Sequence, residues 1–147
     1  MYILDTNVIS ELRKAKKTHP NVRKWAERVP SPSLYISVIS VLELEIGILL
    51  IDRRDKEQGA ILRVWMDRHV LPTFSGRILS IDTAVAQRCA TLHVPGLHVP
   101  GLHVPNPRSD RDALIAATAL VHGLTVATRN VADFEHTGVG ILNPWEA

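Results

Sequence analysis

A three-layer α/β/α fold built on a central, mostly parallel sheet is what this 147-residue sequence predicts, as one domain over residues 1–147. Two observations point there. Short apolar, strand-like runs alternate along the chain with longer segments of helical periodicity, the pattern of a parallel sheet covered on both faces. Hydrophobic residues make up 46% of the chain and charged residues 22%. At this length that supplies a real core without disulfides or a structural metal.

The first strand is Tyr2-Ile-Leu4, ended by Asp5, and residues 6–12 read as the first helix. Residues 13–18 are a charged connector. Pro20 suits a first helical turn, where its missing N–H costs nothing, and Val22, Trp25, Ala26 and Val29 then share one face. Pro30-Ser-Pro-Ser33 is a loop. Leu34-Tyr-Ile-Ser37 is a second strand, followed by a helix over about 40–52. Ile61, Leu62 and Trp65 mark a helix over 58–69. Residues 77–81 are a third strand, with a helix running on through Ala90. An Ala-rich helix over 110–122 is closed by Gly123, which can take the left-handed conformation of a C-terminal cap. Residues 124–128 are a fourth strand and 139–142 a fifth.

The single cysteine, Cys89, cannot form an internal bridge, so a reducing cytoplasm is the expected location. Met1-Tyr-Ile-Leu-Asp5 enters patterned sequence directly, and no export signal is expected. The longest apolar segment, 38–51, is interrupted by Glu43, Glu45 and Gly47 and is too short for a bilayer; no membrane role is expected. A net charge of +2 with His neutral is compatible with nucleic acid without indicating it.

Leu92-His-Val-Pro-Gly, Leu97-His-Val-Pro-Gly and Leu102-His-Val-Pro-Asn form a tandem repeat within a loop at about 92–107. A proline every five residues suits neither helix nor strand. The spacing of His93, His98 and His103 matches no metal-ligand geometry, and a duplicated loop is the simpler account. Lying just before Asp110 and Asp112, it is placed to influence site access or dimer packing.

Four acidic positions are candidates for chemistry: Asp5, Glu43, Asp112 and Asp133. Each has an ordinary alternative. Asp5 can cap the helix it precedes, and Ser40–Glu43, Ser109–Asp112 and Asn130–Asp133 have the spacing of a capping box. Position favours a site, because ligands in parallel sheets sit beyond the carboxyl ends of the strands, where Asp5 and Asp133 both fall. Glu43 is flanked by Val41, Leu42, Leu44, Ile46, Ile48 and Leu49, and is therefore expected to be buried, with Gly47 leaving space one turn on. Glu45 lies about 200° around the helix and cannot face the same site. Asp112 opens a helix packed through Leu114, Ile115, Ala116 and Ala119.

Carboxylates converging on one crevice repel each other unless a cation joins them. Magnesium, a hard ion held by a few carboxylates and water, meets that need, and it can polarise a phosphodiester and activate water. No other nucleophile is legible, and no Gly-rich phosphate loop is present. Asp82 is an internal comparison: Ile81-Asp-Thr repeats Leu4-Asp-Thr, but Asp82 reads as a cap.

Several blocks resemble the PIN-domain family, particularly its VapC and FitB toxin branch. They are Tyr2-Ile-Leu-Asp-Thr-Asn-Val-Ile-Ser10, residues 37–47, Asp112-Ala-Leu-Ile-Ala-Ala-Thr-Ala119, Thr125-Val-Ala-Thr-Arg-Asn-Val-Ala-Asp-Phe134 and Leu142-Asn-Pro-Trp145. They occur in order and span nearly the whole chain. The resemblance implies a magnesium-dependent endoribonuclease, with manganese able to serve, in which Asp5, Glu43, Asp112 and Asp133 are catalytic and ligate the metal. Thr6, Thr128 and Asn130 match polar positions lining the family's site, and Asn130 is an alternative to Asp133 as the final ligand. It further implies an RNA substrate, a homodimer, and a VapB/FitA-like antitoxin.

Basic residues cluster at Arg13, Lys14, Lys16 and Lys17, at Arg23, Lys24 and Arg28, and at Arg53, Arg54 and Lys56. Such runs are commonly solvated faces. Arg129, beside the proposed site, is the sharper candidate for a phosphate contact. Trp25 and Trp65 read as core or dimer residues, while the pattern assigns nothing to Trp145. An aspartyl-phosphate phosphatase would favour a second acid two residues after Asp5, where Asn7 stands. The alternative function is a catalytically inactive module that binds antitoxin or RNA.

Overall fold

The computed structural model describes residues 1–94 and 110–147. Strands β1 (Tyr2–Leu4), β2 (Leu34–Ser37), β3 (Ile78–Leu79), β4 (Thr125–Ala127) and β5 (Ile141–Leu142) form one sheet in the order β3-β2-β1-β4-β5. Every neighbouring pair is parallel, with Tyr2 opposite both Leu34 and Thr125. The chain builds outward from β1 to β3, then returns to place β4 on the other side of β1. That reversal puts a crevice between the carboxyl ends of β1 and β4.

Alternation along the strands divides the core. Leu4, Leu34 and Ile36 face one layer, where they meet Val8 and Ile9 of α1 (Thr6–Leu12), Trp25 of α2 (Pro20–Arg28) and Leu44 and Ile48 of α3 (Val38–Arg54). Leu62 of α4 (Lys56–Trp65) completes that layer, along with Met66, Val70 and Phe74 around the short α5 (Leu71–Thr73). Ile3 and Val126 face the other layer, against Ile115, Ala116 and Ala119 of α7 (Asp110–His122). The opposite, alanine-lined side of α7 receives Val85 and Cys89 of α6 (Thr83–Leu92). The three-layer arrangement expected from the sequence is the one observed.

Several boundaries differ from the sequence expectation, each for a local reason. Helix α3 starts at Val38 because the Ser37 hydroxyl accepts the Ile39 N–H at 2.9 Å. Ser40 is therefore already inside the helix. Helix α4 starts at Lys56, where Asp55 accepts the Gln58 N–H at 3.1 Å, and continues through a wide turn at Met66–Val70 into α5. Strands β3 and β4 are shorter than the apolar runs that contain them. Gly123 closes α7 at φ 67°, as its lack of a Cβ permits.

Only the start of the repeat-containing loop is described. His93 is held at both ring nitrogens: Nδ1 donates to the Cys89 carbonyl oxygen at 3.0 Å, and Nε2 lies 2.8 Å from Asp110 Oδ1. It ties the end of α6 to the start of α7. His98, His103 and the rest of the loop lie outside the described residues. Cys89 is buried, and burial first, then the charge of Asp110, pushes its thiol above the usual range, so a thiolate nucleophile is disfavoured. No helix among the described residues is long and apolar enough to cross a membrane.

Candidate active site

Asp5 leaves β1 at the crevice between β1 and β4 and is 5% exposed. Its N–H donates to the Ala127 carbonyl at 2.9 Å, extending the β1–β4 ladder by one step. Its carboxylate accepts from three groups: the Thr6 N–H at 2.8 Å, the Thr128 hydroxyl at 2.8 Å and Asn7 Nδ2 at 3.0 Å. These fix its orientation. Burial nonetheless holds the Asp5 carboxyl above its ordinary pKa; the bonds from Thr128, Thr6 and Asn7 oppose that shift, and the charge of Glu43 adds to it. The site thus holds negative charge at a cost that a proton or a cation would relieve.

Glu43 reaches the same place from α3. Its Oε1 accepts the Thr6 hydroxyl proton at 2.8 Å, and that hydroxyl lies 3.0 Å from Ser40 Oγ. The expected burial of Glu43 is corrected: the side chain is half-buried. Apolar neighbours did not imply enclosure, because Leu42, Leu49 and Leu50 of the same helix are themselves exposed. Gly47 does leave open space at its Cα. Glu45 points to α4 and forms a two-toothed pair with Arg63 at 2.7 and 2.9 Å, which holds its carboxyl below the usual value. The separation of the two glutamates matches the helical spacing.

The other two acids come from distant segments. Asp112 is half-buried in the first turn of α7, and Asp133 is exposed at the end of the single turn Val131–Asp133 after β4. The Asn130 side chain does not cap that turn. Asp5, Glu43, Asp112 and Asp133 all line one cleft of about 490 Å³, with Thr6, Asn7, Ser10, Asn130 and Arg111. Among the described residues, no three His, Cys, Asp or Glu side chains stand close enough to hold an ion alone. The carboxylates instead ring a space. That arrangement, with oxygen donors and no thiolate or imidazole among them, fits magnesium, which keeps several waters and takes one or two carboxylates directly.

Thr128 is wholly buried beneath the cleft. Its hydroxyl donates to Asp5 and accepts the Asn130 N–H at 3.0 Å. Arg129, expected at the site, turns away: its N–H donates to Asn7 Oδ1 at 3.2 Å, but its guanidinium lies over Trp145 in an adjoining groove. Sequence reasoning passed over three residues here. Asn7 bridges Asp5, Thr128 and Arg129; its signal was its place two residues after a strand-end Asp. Arg111, next to Asp112, brings a cation to the cleft. Trp145 lies in a block that resembles the family, but its neighbours in sequence assign it no contact.

Asp82 shows what the same local sequence does elsewhere. It is exposed, follows edge strand β3, and caps α6 by accepting the Val85 N–H at 2.9 Å. Its expected capping role is the one observed.

A sheet whose order reverses beside Asp5 and a cleft ringed by acids from four segments define the class. The PIN domain family model matches residues 2–139, and the chain belongs to that family. Over 147 residues it is 39% identical to the plasmid stability protein StbB of Pseudomonas syringae pv. tomato, covering 100% of both chains. It is 36% identical over 146 residues to VapC ribonuclease Y4jK of Sinorhizobium fredii, covering 99% of each. It is also 36% identical over 147 residues to toxin FitB of Neisseria gonorrhoeae, again covering 99% of each. Among solved structures, FitAcB from Neisseria gonorrhoeae matches with a TM-score of 0.86 at 34% identity, covering 100% of both chains.

Proposed function

We propose that this chain is the toxin ribonuclease of a bacterial toxin–antitoxin pair, a magnesium-dependent endoribonuclease that cuts RNA phosphodiester bonds in the cytoplasm. The observation that carries the reading is the gathering of Asp5, Glu43, Asp112 and Asp133, far apart in sequence, around one cleft at the sheet's reversal point. The names of its relatives, a VapC ribonuclease and a FitB toxin, support the reading.

Asp5, Glu43 and Asp112 would hold the ion, some of them through its bound waters, with Asp133 or Asn130 completing the set; manganese can stand in for magnesium. Bound there, the ion supplies a polarised phosphodiester and an activated water. The chain's own groups prepare that chemistry. Thr128 and Asn7 keep Asp5 in one orientation, and the Thr6 hydroxyl couples Glu43 to the first turn of α1. Arg111 offers a positive group to the phosphate at the rim.

The chain is further proposed to act as a homodimer and to be silenced by a VapB/FitA-like antitoxin. Leu49 (62% exposed) and Leu50 of α3, with Ile61 and Val64 of α4, are apolar side chains left in water by a single copy. Burying them against a second copy accounts for them.

Purified protein should cut RNA with magnesium or manganese and lose that activity in excess chelator. RNA ends mapped after brief expression should differ from those left by Asp5→Asn. If the two proteins leave the same ends, the nuclease reading fails.

A further inference from the structure

The acidic cleft attracts a cation but repels the strand on which it would act. A nuclease of this kind needs a second surface to hold that strand, and the structure contains a groove suited to it one residue away. The groove, about 750 Å³, lies where the end of α1, the start of α2, the β4 exit and the C-terminal segment meet, and is lined by Lys14, Lys17, His19, Arg129 and Trp145. Its size is that of pockets accepting small ligands, about 300–1,000 Å³.

Its parts are positioned rather than loosely exposed. Trp145 is held at both backbone polar groups: its N–H donates to Asn143 Oδ1 at 3.0 Å, and its carbonyl accepts from Asn21 Nδ2 of α2 at 2.6 Å. Its ring packs partly against the core. The Arg129 guanidinium lies 5.4 Å from the centre of that ring. A guanidinium stacked on indole keeps its N–H edge free for phosphate and its outer face free for a base.

Charge in the groove is unevenly committed. Glu11 is buried and pairs with Lys14 at 3.0 Å, while accepting the His19 N–H at 3.1 Å, so these two opposite charges largely cancel. Lys17 is exposed and forms no ion pair among those described. Arg129 and Lys17 remain to meet an anion, against the exposed Glu146. The chain also links groove to cleft. Thr128 bonds Asp5, Arg129 enters the groove, and Asn130 returns to the cleft, three consecutive residues serving the two spaces.

We infer that this groove is a nucleotide subsite for single-stranded RNA, in which Lys17 and Arg129 bind the phosphate next to the scissile one and the Arg129–Trp145 stack receives its base. The inference rests on the ribonuclease reading and adds where the strand lies. Stacking on aromatic side chains is tolerant of base identity, so the subsite supplies affinity and direction more than sequence choice.

The test uses the full chain. Binding of a fluorescein-labelled single-stranded oligoribonucleotide is measured in the cleavage-deficient Asp5→Asn background, with and without Lys17→Ala, Arg129→Ala and Trp145→Ala. Each is expected to weaken binding by about 5- to 100-fold, the range of one lost stack or phosphate contact. The two cation removals should each reduce the slope of log affinity against log salt by about 0.7. Trp145→Phe, which keeps an aromatic face, should bind within about threefold of the parent, and this guards against a folding defect in Trp145→Ala. With Asp5 restored, Lys17→Ala and Trp145→Ala should raise KM for an oligonucleotide by more than they change cleavage of a small phosphodiester lacking flanking nucleotides. Unchanged RNA affinity and salt slope in all three variants overturn the subsite, including where antitoxin binding is weakened instead. A wild-type protein that cuts neither substrate overturns the ribonuclease reading and the subsite with it.

Discussion

Asp5→Asn is expected to reduce RNA cleavage by about a thousandfold while leaving the cation-free protein at least as stable as the wild type. The two effects have one origin. Removing a carboxylate proposed to hold the ion would forfeit several kcal/mol of transition-state stabilisation, at tenfold in rate per about 1.4 kcal/mol. The same carboxylate is a burden on the fold. It is 5% exposed and faces Glu43, and its pKa is raised by burial despite three hydrogen bonds. An amide keeps the acceptor for the Thr6 N–H, but its NH2 meets the Thr128 and Asn7 donors that the second oxygen accepts, a loss that offsets part of the gain from removing the charge.

The sign follows from linkage. A carboxyl with a raised folded pKa favours the fold fully at pH below its unfolded value, and that advantage is lost as pH rises through the folded value. The Asp5 contribution to stability without cation should therefore decline from about pH 4 upward through the raised value, so Asp5→Asn should gain on the wild type as pH rises across that range. Urea unfolding across that range measures the difference. A variant clearly less stable than wild type at neutral pH would show that Asp5 is mainly a structural cap.

Phe134→Ala is expected to cost about 3–5 kcal/mol, the usual range for emptying a buried aromatic site. At this chain length that lowers Tm by roughly 10–15 °C. Phe134 is wholly buried in the layer formed by Ile3, Ile39, Ile115, Ala116 and Val126. Its N–H donates to the Val131 carbonyl at 3.0 Å, and its carbonyl accepts the Thr137 hydroxyl at 2.7 Å. The side chain therefore anchors the segment that presents Asn130 and Asp133 to the cleft. Cleavage should fall even below the melting range, whereas Phe134→Leu should keep most of both properties. Circular dichroism melting and cleavage assays read the two effects; a loss under about 1 kcal/mol would mean that the segment is held by its backbone alone.

Much of this was legible because local pattern and tertiary role agree. Helix α7 ends in the structure where its periodicity and Gly123 place it. The separation of Glu43 from Glu45 follows from helix geometry alone. What local sequence did not carry was context. Leu4-Asp5-Thr6 and Ile81-Asp82-Thr83 read alike, yet one acid is buried at the centre of the sheet and the other caps a helix at its edge. Strand order decides between them, and order is set by contacts such as Thr128 to Asp5, 123 residues apart. Glu43 was misjudged because apolar neighbours on α3 face outward as well as inward. Trp145 acquires meaning only when β4 brings Arg129 over it.

Titration calorimetry with manganese tests most directly whether the cleft is built around a divalent ion. Wild type, Asp5→Asn, Asp112→Asn and Asp82→Asn would be compared under one set of conditions. Saturable binding is predicted for the wild type and for Asp82→Asn, with affinity weakened by more than about tenfold in Asp5→Asn and in Asp112→Asn, at least the loss that outer-shell partners alone produce. Equal binding by all four proteins, or none by the wild type, would contradict it.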